Sequence, residues 1–319
     1  MSGRSRAAIA LASAGVIGAV TVGISSASTP TPDQDTASAK ASQAARTKAA
    51  KVKRYSMGAV PSHEKGRKQA LAMDLQPRLA ALAPTTSVGG SSTTGTVAAL
   101  PASVDLSKYA AKPGNQGQVG SCAAWSVDYS AYSILEHEQN ITGGPQAPMY
   151  TYAQIVKGQD QGTSFADHLG IAMKQGIDSK SHYFQGDFDY STQPTASEIR
   201  NARKWKLSGY TPLHTGSRIK DEVKAALAKG EPVVIAIDVH DSFFDVTPRQ
   251  AASYTYYPTA DDPLAGGHGI TIVGYNSKGV RIENSWGANW GDHGFINVSW
   301  KFLADEAWEA NAVGKLIKR

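Results

Sequence analysis

The stretch Gln116-Gly-Gln-Val-Gly-Ser-Cys-Ala-Ala-Trp-Ser-Val-Asp-Tyr129 contains Cys122, the single cysteine of this 319-residue chain. An unpaired cysteine is a buried apolar side chain, a link to another chain or a reactive nucleophile. The residues after Cys122 predict a helix, so its thiol meets unpaired backbone N–H groups and the positive end of the helix dipole, which stabilise a thiolate. The stretch therefore favours a nucleophile, and Gln116 adds a side-chain amide donor.

A cysteine nucleophile needs a base to take its proton and a third group to hold that base. His268 is the candidate base, because it opens an apolar strand and has glycine on both sides, which lets the ring face a cleft. Asn284 ends the next predicted strand. If the two strands are antiparallel neighbours, Asn284 lies beside the imidazole and accepts its hydrogen bond, and Trp286 shields that bond from water.

These residues resemble the papain-like cysteine peptidases. The order Gln116, Cys122, His268, Asn284 is that of the family, and so is the run Asn284-Ser-Trp-Gly-Ala-Asn-Trp-Gly. The resemblance covers about residues 100–317 and is greatest to the bacterial branch with few or no disulfides. It implies an α+β fold with two lobes, a helical N-terminal one and an antiparallel β C-terminal one, and an active site in the cleft between them.

The resemblance also implies a role for each of these four side chains. Cys122, as a thiolate, attacks the scissile carbonyl, and His268 pairs with it and later protonates the leaving amine. Asn284 orients His268. The side chain of Gln116 and the backbone N–H of Cys122 form the oxyanion hole, where one donor typically contributes a few kcal/mol.

The resemblance also implies which residues bind the substrate, and the sequence differs from the family at one position beside Cys122. Gly162 and Thr163 match the segment that pairs with the substrate backbone, and Trp286 belongs to the substrate-binding set. Val119 stands where the family has a cysteine, so the disulfide beside the nucleophile is missing. We therefore expect packing to hold the loop that precedes Cys122.

Helical patterns fill the first half of this region and strand patterns the second, which is itself typical of an α+β protein with a cleft between two halves. Capping residues and apolar periodicity predict helices at 122–138, 164–176, 195–205 and 217–230. Apolar and β-branched runs predict strands at 233–239, 269–275, 280–283 and 295–300.

The N-terminus has the pattern of a signal peptide, which we place at residues 1–27. Arg4 and Arg6 precede an uncharged apolar stretch at 7–24, and small residues follow at a plausible cleavage site. A membrane anchor is the alternative, but the stretch is rich in Ala, Gly, Ser and Thr and poor in Leu. We expect cleavage, secretion to the outside of a bacterial cell and no stable membrane association afterwards.

Residues 28–99 form a low-complexity pro-region or linker, and residues 100–319 form the peptidase domain. The composition of 28–99 is too poor in aromatic residues to bury much apolar area, although 62–82 has a possible helical pattern. Two interpretations stay open: a spacer, or a propeptide that keeps the enzyme inactive until it is removed. The region has no convincing match to the family's usual helical inhibitory propeptide.

The charge distribution disfavours a nucleic-acid partner. Residues 1–78 hold twelve Lys/Arg and four Asp/Glu, a balance of +8, which leaves −3 for the rest of a chain of net charge +5. No histidines are spaced as metal ligands, so we expect neither a metal nor another cofactor. The chain is expected to be a monomer that acts on polypeptides.

Three functions remain open on the sequence. The first is an exported cysteine endopeptidase that works through an acyl-enzyme. The second is another acyl-transfer enzyme on the same thiol, an amidase or transpeptidase acting on cell-wall peptides. The third is a non-enzymatic binding protein on the same fold, which the retention of all four catalytic side chains disfavours.

Overall fold

The computed structural model describes residues 55–62 and 99–317. All of these residues belong to one unit of the chain, which begins at Lys53. The predicted signal peptide lies outside the described residues, as do most of the predicted pro-region and, apart from Ser62, the possible helix at 62–82.

Seven helices in the described part of the chain are labelled here in chain order. The central helix α1 is continuous but has three parts, Cys122–Ala124 (α), Trp125–Ala131 (π) and Tyr132–Gln139 (α). The others are α2 (Pro148–Val156), α3 (Phe165–Lys174), α4 (Ala196–Ala202), α5 (Ile219–Leu227), α6 (Pro248–Ala251) and α7 (Trp300–Glu306).

The predicted helix starts are confirmed by their caps. The Ser164 side chain accepts a hydrogen bond from the backbone N–H of Asp167 at the start of α3. Thr195 and Glu198 form both halves of a capping box at the start of α4. Each such cap satisfies backbone donors that have no partner within the helix, which contributes about 1 kcal/mol.

Seven strands, all paired antiparallel, form one sheet in the described residues. The strands are β1 (Val104–Asp105), β2 (Tyr210–Leu213), β3 (Val233–His240), β4 (Leu264–Tyr275), β5 (Gly279–Glu283), β6 (Phe295–Ser299) and β7 (Ala307–Val313). Their order is β2-β7-β3-β4-β5-β6, and β1 pairs with β4. Strands β4 and β5 are antiparallel neighbours with Thr271 opposite Glu283, which confirms the predicted adjacency of the strands that carry His268 and precede Asn284.

The sequence did not predict the strands β1, β2 and β7 or the helices α2, α6 and α7. Strand β2 contains Pro212, which cannot donate to a ladder and so argues against a strand, but β2 is an edge strand, where proline is tolerated. Strand β7 is rich in alanine and lacks the β-branched pattern of its neighbours. Its strand conformation comes from hydrogen bonding to β3 and β2 on its two sides.

Two hydrophobic cores lie on opposite faces of β3. Ile235 and Ile237 point into the core between the sheet and α5, whereas Val234 and Ala236 join the helical core built on α1, α2 and α3. This alternation follows from the two-residue period of a strand. The fold is therefore the expected two-lobed α+β architecture. No helix within the described ranges is long and apolar enough to cross a membrane.

Candidate active site

Cys122 is the first residue of α1, and its side chain is fully buried. The helix lies close against β4, since a Cβ added at Gly269 would come within 3.2 Å of the backbone of Ala123. Burial raises the pKa of the Cys122 thiol to about 11, although hydrogen bonds from the backbone of Gly269 and Ala123 oppose that rise. In this covered state, desolvation therefore opposes the thiolate that the helix N-terminus favours.

His268 and Asn284 lie side by side, as predicted. The Nε2–H of His268 donates to Asn284 Oδ1 at 2.8 Å, and the same oxygen accepts from the backbone N–H of Ser285 at 2.7 Å. The other ring nitrogen, Nδ1, is buried without a hydrogen-bond partner among the described residues. Trp286 stacks on the imidazole with ring centroids 4.5 Å apart, and burial lowers the pKa of His268 to about 4.

Gln116 is buried beside this group and is fixed at three points. Its backbone N–H donates to Ser285 O at 2.9 Å, and its Oε1 accepts from Ser285 Oγ at 2.6 Å. Its Nε2 donates one hydrogen to Val119 O at 2.9 Å. A primary amide nitrogen has two hydrogens, so one N–H remains for another acceptor.

The loop before Cys122 is held by a carboxylate. The backbone N–H of Gly120 donates to both oxygens of Asp160, at 2.9 and 3.2 Å, and the Tyr152 hydroxyl donates to the same carboxylate. We expected packing to hold this loop in place of the missing disulfide. The loop is packed, with Val119, Gly120 and Ser121 buried, and the structure adds charge-assisted hydrogen bonds, which are roughly twice as strong as neutral ones.

Gly162 and Thr163 lie between Asp160 and α3. Gly162 has a φ of +77°, and its backbone N–H donates to the Tyr152 hydroxyl at 3.3 Å. The backbone of Thr163 faces the cleft, where its N–H donates to Gly58 O at 2.9 Å and its carbonyl accepts from Val60 N at 3.2 Å. Thr163 thus pairs with a piece of the chain itself, and Gly162 lies against the same piece, since an added Cβ there would come within 2.2 Å of Gly58 O.

That piece is residues 55–62, called the cleft segment here. It runs parallel to the Thr163 backbone, and Gly58 and Ala59 each donate to Gly267 O at 3.3 Å, beside His268. The backbone of both residues also hydrogen bonds to Cys122. Gly58 approaches the loop before Cys122 so closely that an added Cβ would collide with the Gly120 carbonyl oxygen. The cleft segment therefore covers Cys122.

Side chains hold both ends of the cleft segment. Tyr55 stacks on Trp286 with centroids 4.9 Å apart, and the indole N–H of Trp286 donates to Ser56 O at 3.1 Å. At the other end, Ser62 donates to the Glu309 carboxylate twice, from its backbone N–H at 3.0 Å and from its hydroxyl at 2.7 Å. The segment is thus bound on both sides of Cys122.

The sequence alone did not assign the cleft segment, Asp160 or Glu309 to this site. One signal was available, because Tyr55, Met57 and Val60 form a small apolar island around Gly58 in a stretch otherwise poor in such residues. Asp160 and Glu309 gave no local signal, since their partners lie 40 and 247 residues away. Within the described ranges, no group of His, Cys, Asp and Glu side chains is arranged to hold a metal ion.

Comparison with known proteins identifies the family. The model for the papain family of cysteine proteases matches residues 100–306, more than half of the chain. The chain belongs to the papain family. It is 27% identical over 207 residues to an uncharacterized peptidase C1-like protein of Acanthamoeba polyphaga mimivirus, a match that covers 60% of this chain and 65% of that protein.

A second relative of the papain family is mouse cathepsin K, 29% identical over 206 residues that cover 61% of this chain and 59% of that protein. The chain thus spans about three fifths of the length of the curated relatives it matches. Among solved structures, xylellain from Xylella fastidiosa, a cysteine protease, superposes with a TM-score of 0.64 at 21% identity, over 83% of this chain and 97% of that one. This likeness shows the papain fold alone.

Glu283, immediately before Asn284, makes the stability of this papain-family fold depend on pH. Burial raises its pKa from 4.5 to about 8, against a smaller opposing effect of the Ser130 hydroxyl. The folded state therefore keeps a proton that the unfolded state loses above pH 4.5. The free energy of unfolding should fall by about 1.4 kcal/mol per pH unit from this group between pH 4.5 and 8, and level off above.

Glu283→Gln should remove this slope, so that the variant gains stability over the parent as the pH rises from 5 to 8. Glu136, whose pKa burial also raises to about 8, contributes a second slope of similar size. Urea unfolding at several pH values checks this with Glu283→Gln, Glu136→Gln and the double variant. Parallel curves for the parent and Glu283→Gln would contradict the prediction.

Proposed function

We propose that this chain is a secreted cysteine endopeptidase made as an inactive precursor, with residues 55–62 as the inhibitory part of the pro-region. The observation that carries the proposal is the hydrogen bond from His268 Nε2 to Asn284 Oδ1, beside a buried cysteine whose cleft already holds a peptide segment. The signal-like pattern of residues 1–27 supports export. N-terminal sequencing of the exported protein should begin near Ser28, and retention of residues 1–27 would contradict export by cleavage.

The chemistry follows from the tautomer of His268. Since Asn284 Oδ1 can only accept, Nε2 carries the hydrogen and Nδ1 keeps its lone pair. In the uncovered enzyme, Nδ1 takes the proton of Cys122, and the sulfur attacks the carbonyl carbon of the substrate. The resulting oxyanion accepts hydrogen bonds from the free N–H of Gln116 Nε2 and the backbone N–H of Cys122.

The intermediate then collapses with loss of the amine. The C–N bond breaks, Nδ1 of His268 gives its proton to the leaving nitrogen, and a thioester to Cys122 remains. His268 next removes a proton from water, which attacks the thioester carbonyl and releases the carboxylic acid and the thiol. Trp286 covers the bond between His268 and Asn284 and keeps the imidazole oriented through both steps.

Latency follows from burial of the same groups. With the cleft segment in place, burial raises the pKa of Cys122 to about 11 and lowers that of His268 to about 4, so the neutral pair is favoured over the ion pair. Gly58 and Ala59 also occupy the space in front of the sulfur. Removal of the segment admits water and substrate together, which couples activation to processing.

The test compares the full chain with a shorter chain that begins at Ala99, using fluorogenic peptides and product analysis. We expect the shorter chain to hydrolyse peptides to free acids and the full chain to be nearly inactive. A product in which an added amine replaces the leaving group, in preference to water, would overturn hydrolysis and favour an acyl transferase. Absence of any turnover, with Cys122 readily alkylated in both chains, would overturn the enzyme proposal.

A further inference from the structure

A chain of four buried polar side chains runs from the centre of α1 to the substrate side of the cleft. The Thr151 hydroxyl of α2 donates to the carboxylate of Asp128 and also contacts His168 Nδ1 at 2.6 Å. On its other side, His168 Nε2 contacts the Thr163 hydroxyl at 2.7 Å. All four side chains are at most 2% exposed.

The proton positions in this chain follow from the number of hydrogens available. Thr151 has one hydroxyl hydrogen and gives it to Asp128, so toward His168 it can only accept, and Nδ1 must be the donor. The other ring nitrogen, Nε2, forms the 2.7 Å hydrogen bond with the Thr163 hydroxyl. The side chain of Thr163 is thereby fixed by a ring that is itself fixed at both nitrogens.

Packing fixes the imidazole plane as well. His168 lies on α3 and is parallel to the ring of Tyr152, with centroids 6.5 Å apart and planes 2° apart. The hydroxyl of Tyr152 in turn contacts Asp160 and accepts from the backbone N–H of Gly162, the residue before Thr163. A buried polar group that lacks a partner is costly, so this arrangement has few alternatives.

We propose that His168, supported by Asp128 and Thr151, is a positioning residue that holds Thr163 in the conformation in which its backbone pairs with a peptide in the cleft. The inference rests on the proposed function, since it takes the pairing of Thr163 with Gly58 and Val60 as the pairing that a substrate also uses. His168 itself contacts neither the reacting atoms nor the cleft segment, and it acts through the Thr163 hydroxyl.

The first measurement uses the full chain and does not need activity. The amide hydrogens of Thr163 and Val60 both lie in the paired backbone, and their exchange with deuterium reports its opening. Thr163→Val removes the hydroxyl while keeping the shape, and should speed exchange at both amides about tenfold, whereas Ile235 in β3 keeps its rate. Thr163→Ser retains the hydroxyl and should exchange like the parent.

The second pair of variants is Thr151→Val and Thr151→Ser. Thr151 contacts the other side of the His168 ring, so these variants test the same hydrogen-bonded series if Thr163→Val fails to fold. The same contrast between valine and serine is expected. In the uncovered enzyme, Thr163→Val should raise KM about tenfold with kcat changed less than about twofold, because backbone pairing binds the ground state and transition state alike.

Three results would overturn the inference: unchanged exchange at Thr163 and Val60 in both valine variants, equal acceleration at Ile235, or a serine variant that behaves like valine. The first result would show that His168 does not position Thr163. Either of the other two would show that the four buried side chains stabilise the fold as a whole and not the paired backbone in particular. Failure of the proposed function would be separate, since it would show as absent peptide hydrolysis while the exchange pattern stayed as expected.

Discussion

Cys122→Ala should abolish peptide hydrolysis by the uncovered chain, with kcat/KM falling about a millionfold, the size of effect found when a nucleophile is removed from a unit of interdependent catalytic groups. The reason is that no other group can form the thioester. His268→Ala should cost about as much, and the double variant should cost little more than either, because each group is ineffective without the other. Steady-state kinetics on a fluorogenic peptide measures all three.

Ser121→Ala is the matched control for this series. Ser121 is buried next to the nucleophile, and its hydroxyl has no hydrogen-bond partner in the described part of the chain. Its removal should leave kcat/KM within a fewfold of the parent. Activity above about one percent in Cys122→Ala, or a large loss in Ser121→Ala, would mean that the nucleophile is assigned wrongly, since removal of a true one costs several orders of magnitude.

Gly58→Ala in the full chain should release the cleft segment and expose the thiol. With a pKa of about 11, roughly one Cys122 in ten thousand is ionised at pH 7. The added Cβ collides with the Gly120 carbonyl, a backbone atom that cannot turn aside. Alkylation of Cys122 by iodoacetamide, followed by intact mass, should therefore speed up at least about a hundredfold.

The pH dependence separates covered from uncovered protein. Labelling of the parent should rise about tenfold per pH unit toward pH 11, since the raised pKa leaves the thiol protonated throughout the neutral range. Gly58→Ala should label at a rate that changes little between pH 6 and 8. Gly170→Ala is the control, because a Cβ added there meets nothing within 4 Å.

Glu309→Gln tests the far end of the cleft segment by weakening its hold on Ser62. It should accelerate labelling in the same direction as Gly58→Ala but by less, because Gly58 and Ala59 keep their backbone bonds to Gly267. If the parent, Gly58→Ala and the chain that begins at Ala99 all label at one rate, the cleft segment does not cover Cys122 in solution.

The sequence predicted the elements that carry the site because their patterns are local. Apolar runs predicted residues 269–275 of β4 and 280–283 of β5, although β4 begins earlier, at Leu264, and includes His268. The position of Asn284 after the second run placed its side chain beside that of His268. Caps at Ser164 and Thr195 placed two helix starts to the residue. Strand β7 escaped prediction because its conformation depends on neighbours on both sides and not on its own residues.

The protonation state of Cys122 could not be predicted from the sequence for a similar reason. The helix N-terminus, visible in the sequence, lowers the pKa of Cys122, but the cleft segment that buries the thiol arrives from about sixty residues earlier and makes backbone hydrogen bonds. Backbone hydrogen bonds do not depend on which side chains the residues carry, so the sequence does not reveal them. The one sequence feature that reflects the close approach of the cleft segment to Gly120 is the glycine at position 58, where a Cβ would not fit.

The hydrogen bonds from the backbone N–H of Gly120 to the Asp160 carboxylate have a consequence for the conditions under which this loop keeps its structure. A chain whose nucleophile loop depends on a sulfur–sulfur bond needs an oxidant while it folds and a reductant while it works. Here the loop is fastened through oxygen and nitrogen, and the chain has a single thiol. Reducing agents can therefore keep the Cys122 thiol from oxidation without loosening the hydrogen bonds between Asp160 and Gly120.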